Sequence, residues 1–585
     1  MSPARERVWH FLAGASFAFG GWYLTWRWTQ SLNPDNLVFS VLVASAETLF
    51  FVGTLLTFFD IWREQDSPRT PAPRTRKEAA LDDACDAIVV DVFIATFDET
   101  CAVVGPTVEA AVGLQAPENT VVRVHILDDG NRLEMEQLAG RFGVGYITRC
   151  DNVGFKAGNL RNALFQTSGD FVLICDADTR VFPEFLENTL GYFRDSKVAW
   201  VQTPHWFYDI PEGETWEDWA GRHTRHFPNA IARFMRFATA RSRVGNDPFL
   251  SDPTLFFDVI LRRRNRNGAA FCCGAGSVHR REAIFSQAID QKAKDLNVLT
   301  DRHGFSGCAQ ALSCVRLEPY RFHVSEDIYT SILLHENRDA EWKSVFHPKV
   351  EARMLSPWSM KAWATQRLKY GGGTFDIMLR DNPLWRRGMS WQAKLHYAAT
   401  FWSYLSVLWV PILLLAPVAA LLFGLSPVSA YSAEFFLYFV PAILITEAAT
   451  VVACKGYNVG KGRALALATL PLNLRALWLA ICGERPSFPT TPKSPGNAGA
   501  WKFVWPNIAL ISLMVMAGTW GVFQTVRGVD GFGLSMLAVN LFWLVWNISL
   551  NGHLVLAAFW KPMSVLQRSN HKETEDENAY SSPST

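Results

Sequence analysis

The sequence of 585 residues lacks an excess of charge of either sign, with 56 Lys and Arg against 55 Asp and Glu. A net charge of +1 excludes binding to nucleic acid through bulk electrostatic attraction. The ten cysteines lack the spacing of a zinc site, because Cys272 and Cys273, the nearest candidate, have neither the two-residue gap nor a second pair. We therefore expect reduced thiols in a cytosolic region.

A cleavable signal peptide and internal repeats are also lacking. Arg27 interrupts the first apolar run, and no small-residue cleavage site follows it. Apolar residues make up 49% of the chain and are concentrated on both sides of residues 85–355. Because about 20 apolar residues cross a bilayer core, we predict six transmembrane segments, at about 8–29, 37–59, 396–424, 430–453, 503–525 and 534–560.

The predicted domains alternate between membrane and soluble segments. They are two N-terminal transmembrane helices (1–62), a linker (63–85), an α/β domain (86–355), amphipathic interface helices (356–392), transmembrane helices 3 and 4 (393–453), a cytosolic interface helix with a loop (454–502), transmembrane helices 5 and 6 (503–560) and a polar tail (561–585). Basic residues cluster near the N-terminus, in 454–502 and in the tail, and the positive-inside rule places all three in the cytosol. Six spans then place the α/β domain in the cytosol too.

Short β-branched and apolar runs alternate with helix-compatible stretches between residues 86 and 355. The strand candidates are residues 87–94, 121–127, 171–175 and 198–201, and the helix candidates are residues 133–142 and 156–167. This alternation predicts an α/β domain with a mainly parallel sheet, in which ligands bind beyond the carboxyl ends of the strands. Asp128-Asp129-Gly130 and Asp176-Ala177-Asp178 both follow strand candidates.

Acidic and basic motifs at these strand ends suit a phosphate ligand. The carboxylates of Asp176 and Asp178 are hard oxygen ligands for Mg²⁺ or Mn²⁺, which can bridge a diphosphate; the alternative is a solvated turn. Lys156 opens a helix after Gly154, where helix N-terminal amides also suit phosphate; the alternative is a helix start with an exposed lysine.

Ser325-Glu326-Asp327 forms a further acidic motif. A carboxylate here can accept a proton from a hydroxyl group and so make that oxygen a nucleophile. Alternatively, Ser325 caps a helix whose dipole is stabilised by the two acidic residues. Both interpretations can hold together.

Residues 356–373 predict an amphipathic helix between the α/β domain and the strongly apolar C-terminal part of the chain. Ser356 and Pro357 are typical of a helix start, and we expect the helix to end at Gly371–Gly373. Its mixture of aromatic and basic residues suits a membrane surface, with an ordinary core helix as the alternative. Glu447, inside a predicted span, is expected either to line a channel or to make an interhelical bond.

The order of these motifs resembles the processive family-2 glycosyltransferases of the bacterial cellulose synthase and curdlan synthase type. The shared order is D-D-G, K-A-G-N, D-x-D, [TS]-E-D and Q-x-x-R-W, the last represented by Gln366-Arg367-Leu368-Lys369-Tyr370. Fragments 201–205, 271–274 and 342–345 agree, and Phe488–Lys493 is similar to the family's F-x-V-T-x-K gating loop. The resemblance covers about residues 20–560.

This resemblance implies a GT-A domain that transfers sugar from a UDP-sugar, most often UDP-glucose, with Mg²⁺ or Mn²⁺ as cofactor. It implies Asp327, beside Glu326, as catalytic base, and Asp176 and Asp178 as metal ligands. The implied donor-binding residues are Thr96, Asp98, Glu99, Asp128, Asp129, Lys156, Asp176, Asp178, Arg367 and Lys369. The implied acceptor-binding residues are Gln366, Tyr370, Phe271, Cys273 and Gly274, and the implied gating residues are Phe488, Thr490, Thr491 and Lys493.

The resemblance also implies where the protein works and with what. A hydrophilic polymer needs a protein-lined path through lipid, because its hydroxyl groups lose hydration there. We therefore expect a multi-pass protein of the bacterial inner membrane, with the catalytic domain and both termini in the cytosol. Its expected partners are the donor, the growing β-glucan, the bilayer and periplasmic or regulatory subunits, without nucleic acid.

Two departures from the family pattern bear on the product. Lys369 cannot form the planar two-pronged contact of arginine, and Tyr370 offers a smaller face than tryptophan. These changes favour a β-1,3 (curdlan-like) or mixed-linkage glucan. The enzyme alternatives are cellulose and a chitin- or hyaluronan-like polymer from a UDP-N-acetylhexosamine; the non-enzyme alternative, a nucleotide-regulated transporter, does not explain the ordered carboxylates. Residues 561–585 leave no room for a fused PilZ domain, so cyclic di-GMP regulation is expected to need a separate protein.

Overall fold

The computed structural model describes residues 1–208, 214–224, 226–239, 243–244, 253–312, 317–337, 339–357, 359–483 and 500–558. The predicted gating residues Phe488, Thr490, Thr491 and Lys493 lie outside the described residues. Two N-terminal helices, α1 (Pro3–Thr29) and α2 (Leu37–Asp60), precede the α/β domain. Arg27, which interrupts the first apolar run, is fully buried and donates to Glu47 Oε2 at 2.8 Å and to the carbonyl of Pro427 at 2.9 Å. Its charge is therefore satisfied inside the protein.

The described part of the α/β domain forms twelve strands. They are β1 (Ile88–Thr96), β2 (Thr120–Asp128), β3 (Gly145–Thr148), β4 (Phe171–Asp176), β5 (Arg180–Val181), β6 (Val198–Gln202), β7 (Trp206–Phe207), β8 (Glu214–Thr215), β9 (Arg243–Val244), β10 (Ser277–Arg280), β11 (Lys343–Phe346) and β12 (Ala352–Met354). Seven form the main sheet in the order β11-β6-β10-β4-β1-β2-β3, with only β10 antiparallel to its neighbours. The predicted mainly parallel sheet is confirmed.

The described part of the α/β domain also contains the following helices. They are α3 (Cys101–Val112), α4 (Leu133–Phe142), α5 (Phe155–Gln166), α6 (Phe185–Thr189), α7 (Trp216–His223), α8 (Pro228–Thr239), the π-helix Leu255–Leu261 with α9 (Arg262–Arg264), α10 (Arg281–Leu312) and α11 (Glu326–His335). Along β1, Val90, Val92 and Ile94 pack into the core on one face, while Phe93 packs into the core on the other. Both faces are buried, which is why β1 reads as a continuous apolar run.

The C-terminal part is helical. It comprises α12 (Met360–Arg380), α13 (Trp391–Leu405), α14 (Val410–Phe423), α15 (Ala433–Ala453), α16 (Val459–Ile481), α17 (Trp501–Val526) and α18 (Leu534–Ala557). Among the described residues, six segments are long and apolar enough to span a membrane: Pro34–Asp60, Trp391–Phe423, Ala433–Ala453, Val459–Ile481, Trp501–Val526 and Leu534–Ala557. The number matches the prediction, but the set includes α16 and leaves out α1. The basic residues of α16 favour a cytosolic location under the positive-inside rule, whereas its length and apolar composition fit a membrane span.

A charged pair joins α15 to α16. Arg463 Nη2 donates to both carboxylate oxygens of Glu447, at 2.6 and 2.8 Å. Of the two expectations for Glu447, the structure therefore shows the interhelical bond. A carboxylate within an apolar helix needs such a partner because desolvating an isolated charge is costly.

The glycine triplet lies inside α12, so the expectation that it ends the helix was wrong. The helix begins at Met360, after the N-cap Ser359, and not at Ser356. A Cβ at Gly371 would lie 2.7 Å from Asn473 Oδ1 of α16, and one at Gly373 would lie 2.0 Å from Ser325 Oγ. The glycines therefore lower helix propensity but let α12 pack closely against α16 and against the residue before α11.

We predict that Gly373→Ala destabilises the protein, because the added methyl group collides with Ser325. Overpacking of this kind costs about 1–3 kcal/mol, visible as a lower Tm of the detergent-purified protein. Gly140→Ala is the matched control, since Gly140 is an exposed mid-helix glycine with nothing within 4 Å of the added Cβ. That variant should keep or raise the Tm. Equal Tm changes in the two variants would contradict the packing role.

Candidate active site

The predicted donor-binding residues of the α/β domain lie at one edge of the sheet. Strands β1, β2 and β4 are neighbours, and the register pairs Thr96 with Asp128 and Ala95 with Asp176. The carboxyl ends of the three strands therefore meet, which brings the two acidic motifs of the sequence together although about fifty residues separate them.

Asp128 and Asp129 have different local roles. Asp128 is fully buried and accepts hydrogen bonds from the backbone N–H groups of Gly130 (3.0 Å) and Arg132 (2.6 Å) and from the Tyr146 hydroxyl (3.1 Å). These bonds hold the turn. Asp129 instead makes a two-pronged ion pair with Arg149, at 2.6 and 2.8 Å. Burial raises the pKa of Asp129 although Arg149 opposes this.

Arginines missed by the sequence analysis hold this edge. Arg149 follows β3 and also donates to the carbonyls of Val153 and Phe155, so it braces the start of α5. Arg132 Nη2 donates to Thr96 Oγ1 at 2.9 Å. Arg149 directly follows β3, and a basic residue at a strand end was the sequence signal that could have identified it.

The turn after β1 is closed by its own side chains. Glu99 Oε2 accepts from Thr96 Oγ1 at 2.8 Å and from the Phe97 N–H at 2.9 Å. Asp98 is exposed and lies close enough to Lys369 for its charge to oppose the lowering of the pKa of that amine by burial. The turn therefore presents Asp98 to the site, while Glu99 and Thr96 shape the backbone.

Lys156 is the centre of a charged cluster. Its Nζ donates to Asp176 Oδ1 at 2.5 Å. Gly154, in a left-handed conformation with φ of 80°, turns the chain into α5, which carries Lys156. Burial alone would lower the pKa of Lys156, but the carboxylates of Asp176, Glu326 and Asp327 raise it above its ordinary value. Lys156 thus stays protonated and links the predicted metal motif to the predicted base.

The two acidic residues at the start of α11 have raised pKa values. Burial raises the pKa of Asp327, whose Oδ1 accepts from the Ile328 N–H at 2.8 Å. Burial and the charge of Asp327 raise the pKa of Glu326 to about 7. Ser325 occupies the N-cap position without a side-chain capping bond. A carboxylate with a raised pKa is a better proton acceptor at neutral pH, provided that it is ionised.

Gly274 leaves open the space between Lys156 and Asp327. Its φ is +88°, and an added Cβ would lie 3.6 Å from Lys156 Nζ and 3.8 Å from Asp327 Oδ2. Cys273 and Phe271 belong to the same loop, and Cys273 is near enough to Asp327 for the carboxylate to affect the pKa of the thiol. The structure thus brings the predicted acceptor loop to the predicted base.

Two polar side chains hold this loop in place, and neither was predicted as a site residue. Gln202 Oε1 accepts from the Cys273 N–H at 2.7 Å. Ser331 Oγ accepts from the Cys272 N–H at 2.7 Å and donates to the carbonyl of Asp327 at 2.9 Å. Ser331 therefore connects the loop directly to the helix that carries Asp327.

Helix α12 presents its motif to the cluster. Burial lowers the pKa of Lys369, while Glu326, Asp176 and Asp98 raise it, so the amine faces these carboxylates. Tyr370, 45% exposed, lies near Asp327 and Cys273. The guanidinium carbon of Arg367 is 5.8 Å from the centroid of the Tyr370 ring.

The remaining motif residues can be located individually. Gln366 is half-buried on the same helix. Asp178 is 6% exposed and accepts from the Leu355 N–H at 3.2 Å, on the segment that leads to α12. No cluster of three potential metal ligands occurs among the residues that the structure describes. Two carboxylates at one strand end still fit Mg²⁺ or Mn²⁺, which commonly use one or two carboxylates plus substrate phosphates.

Two protein-family profiles match the part of the chain that contains this site. The profile described as glycosyl transferase family 2 matches residues 91–284, and that of glycosyl transferase family group 2 matches residues 248–452. The chain therefore contains a family 2 glycosyltransferase domain. The fold of its catalytic domain is accordingly GT-A, and with its six apolar helices this glycosyltransferase is a multi-pass membrane protein.

Curated relatives of this glycosyltransferase match over most of its chain. It is 26% identical over 550 residues to the UDP-forming cellulose synthase catalytic subunit of Pseudomonas fluorescens, covering 92% of this chain and 64% of the relative. It is 27% identical over 562 residues to cellulose synthase 1 of Komagataeibacter xylinus, covering 94% and 31%. The glycosyltransferase thus spans less than two thirds of these relatives. Among solved structures, one similar chain is a mannosyltransferase from Pyrobaculum calidifontis in complex with GDP-Man and Mn²⁺. The TM-score is 0.40 and the sequence identity is 16%, and the match covers 72% of this chain and 99% of that chain.

We predict a pH-dependent effect of Glu326→Gln on stability. Because folding raises the pKa of Glu326 from 4.5 to about 7, the stabilising contribution of its proton is present at acidic pH and is lost as the pH rises through that window. The variant should therefore be more stable than wild type at pH 8, by about 1–3 kcal/mol, and similar near pH 4.5. Glu118→Gln, at a side chain 70% exposed, should show no such trend. The measurement is the Tm of each variant and of wild type from pH 4.5 to pH 8. A Glu326→Gln variant with the same Tm as wild type at every pH would contradict the prediction.

Proposed function

We propose that the protein is a processive, inverting synthase that transfers glucose from UDP-glucose to the end of a linear β-1,4-glucan and passes the polymer across the membrane. The observation that carries this proposal is the cluster of Lys156, Asp176 and Asp327 at the sheet edge, beside a helix that packs against the membrane helices. The names of the curated relatives support the donor and the polymer.

The β-1,4 linkage replaces the β-1,3 or mixed linkage favoured by the sequence. That expectation rested on Lys369 and Tyr370 alone. Relatives that cover 92% and 94% of the chain are named as cellulose synthases, which supports the cellulose alternative better. The curdlan-like product is therefore the second candidate.

In the proposed reaction, Asp327 accepts the proton of the acceptor hydroxyl. The oxygen attacks the anomeric carbon, a new C–O bond forms, and the bond to the diphosphate breaks as UDP leaves. Attack from the side opposite the leaving group inverts configuration and gives a β-linkage from an α-linked donor. Lys156 and Lys369 provide positive charge where negative charge develops on the leaving group.

Asp176 and Asp178 are proposed to hold Mg²⁺ or Mn²⁺. When bound, such an ion would neutralise charge on the diphosphate. Asp129 and the Thr96–Glu99 turn are proposed to receive the uridine, and Phe271, Cys273, Gly274, Gln366 and Tyr370 the acceptor. The aromatic face of Tyr370 suits the apolar face of a pyranose ring.

Incorporation of labelled sugar into inverted membrane vesicles tests this function. With UDP-glucose and Mg²⁺, we expect ethanol-insoluble product that a β-1,4-specific glucanase releases and a β-1,3-specific glucanase leaves intact. Release by the β-1,3 enzyme would assign the second candidate instead. Incorporation only from a UDP-N-acetylhexosamine would favour a chitin- or hyaluronan-like polymer, and no incorporation from any common UDP-sugar would overturn the synthase.

We predict that Asp327→Asn removes polymer formation but not donor binding. Loss of a general base lowers the rate by about 10²–10⁴-fold, whereas UDP contacts other groups. Incorporation of glucose and UDP affinity, by isothermal titration calorimetry, are the two measurements. Asp83→Asn, in the exposed linker with a side chain 77% exposed, is the control. Retained synthesis in Asp327→Asn would assign the base elsewhere.

A further inference from the structure

A run of arginines in the catalytic domain reaches the ends of several membrane helices. Arg263 Nη2 donates to the carbonyl of Ala453 at the end of α15, at 2.6 Å. Arg266 Nη2 donates to the carbonyl of Phe59 in α2, also at 2.6 Å. Arg262 pairs instead with Asp66 of the linker and with Asp258 of the π-helix, at 2.7 and 2.6 Å. This segment, residues 262–267, is the arginine junction.

Arg264 makes a buried, two-pronged ion pair. Its Nε and Nη2 donate to the two oxygens of Asp60, the last residue of α2, at 2.8 and 2.7 Å. Both residues are at most 4% exposed. Arg264 Nη2 also donates to Thr400 Oγ1 of α13 at 2.9 Å. The planar guanidinium thus joins two membrane helices in a geometry that lysine cannot reproduce.

His396 completes the same junction. Its Nδ1 lies 2.7 Å from Asp60 Oδ1, and its Nε2 lies 2.8 Å from the side-chain amide of Asn267. A neutral ring that donates from Nδ1 and accepts at Nε2 satisfies both contacts. Asp60 is thereby held from α13 and from the arginine junction at once.

The junction touches the acceptor loop directly. The guanidinium carbon of Arg264 lies 5.0 Å from the centroid of the Phe271 ring, within range of a cation–π contact. Phe271 begins the loop whose Gly274 lies between Lys156 and Asp327. Two contacts, Asp60 to Arg264 and Arg264 to Phe271, therefore connect the end of a membrane helix to the acceptor side of the site.

We infer that Arg264 is a positioning residue, which fixes the acceptor loop relative to the membrane helices so that each new chain end returns to Asp327. The inference rests on the proposed function, since a polymer that moves one sugar at a time needs the site and its exit to keep their register. The buried ion pair suits this task because its two-pronged geometry permits one orientation.

Accessibility of the Cys273 thiol tests the junction without requiring activity. The full-length, detergent-purified protein is labelled with a maleimide, and labelling at Cys273 and Cys101 is measured by mass spectrometry. Arg264→Lys and Phe271→Leu should each raise the Cys273-to-Cys101 ratio at least ~3-fold, because the loop opens more often. Arg262→Lys is the matched control and should leave the ratio unchanged. Equal ratios in all variants would overturn the inference. Phe271→Leu keeps the ion pair, so it answers the question if Arg264→Lys does not fold.

The polymer provides the second measurement. In vesicles with UDP-glucose, Arg264→Lys should shorten the product by about 3–10-fold and leave KM for UDP-glucose within about 2-fold, since donor contacts are untouched. Unchanged product length would contradict a positioning role. If the wild-type protein makes no polymer, the proposed function is overturned, but the contacts of the arginine junction are not. The thiol labelling still tests those contacts.

Discussion

Charge balance around Lys156 is the constraint on which the site depends. Three carboxylates, Asp176, Glu326 and Asp327, surround one ammonium group at the sheet edge. Unit charges about 4 Å apart near a protein surface interact by about 4 kcal/mol, so this cluster holds together only with its cation in place. A diphosphate adds further negative charge, and Lys369 is the next cation that faces the same carboxylates. In the proposed reaction, donor binding and ionisation of Asp327 are therefore electrostatically coupled.

The cluster is tied to the membrane helices by close packing. Gly373 brings α12 onto Ser325, directly before the two acidic residues, and Gly371 brings the same helix onto α16. From the other side, Arg264 joins the end of α2 to the acceptor loop. The site is thus held between two contacts with the membrane helices. One is close packing at glycines of α12, and the other is the buried ion pair of Arg264 and Asp60.

The sheet and its motifs were predictable because local pattern determines them. Buried parallel strands are continuous apolar runs, and acidic motifs at their ends meet once the sheet forms. The end of α12 was mispredicted because glycine lowers helix propensity locally, while the reason for the triplet is contact with residues far away in the sequence. Gln202 and Ser331 were missed for a related reason. Each holds the loop from Phe271 to Gly274 through a contact between distant segments, which no spacing along the chain reveals.

The locations of Lys369 and Tyr370 separate the question of donor binding from the question of product linkage. Lys369 faces the carboxylates on the donor side, where a compact positive charge can serve a diphosphate whatever the linkage. The linkage depends on which acceptor hydroxyl faces Asp327. In the proposed site, that orientation is set by Tyr370 and by the loop from Phe271 to Gly274, both of which lie near Asp327. Under the proposed function, the arginine-to-lysine change bears on donor affinity. Only the tryptophan-to-tyrosine change then remains as a reason to expect a linkage other than that of cellulose.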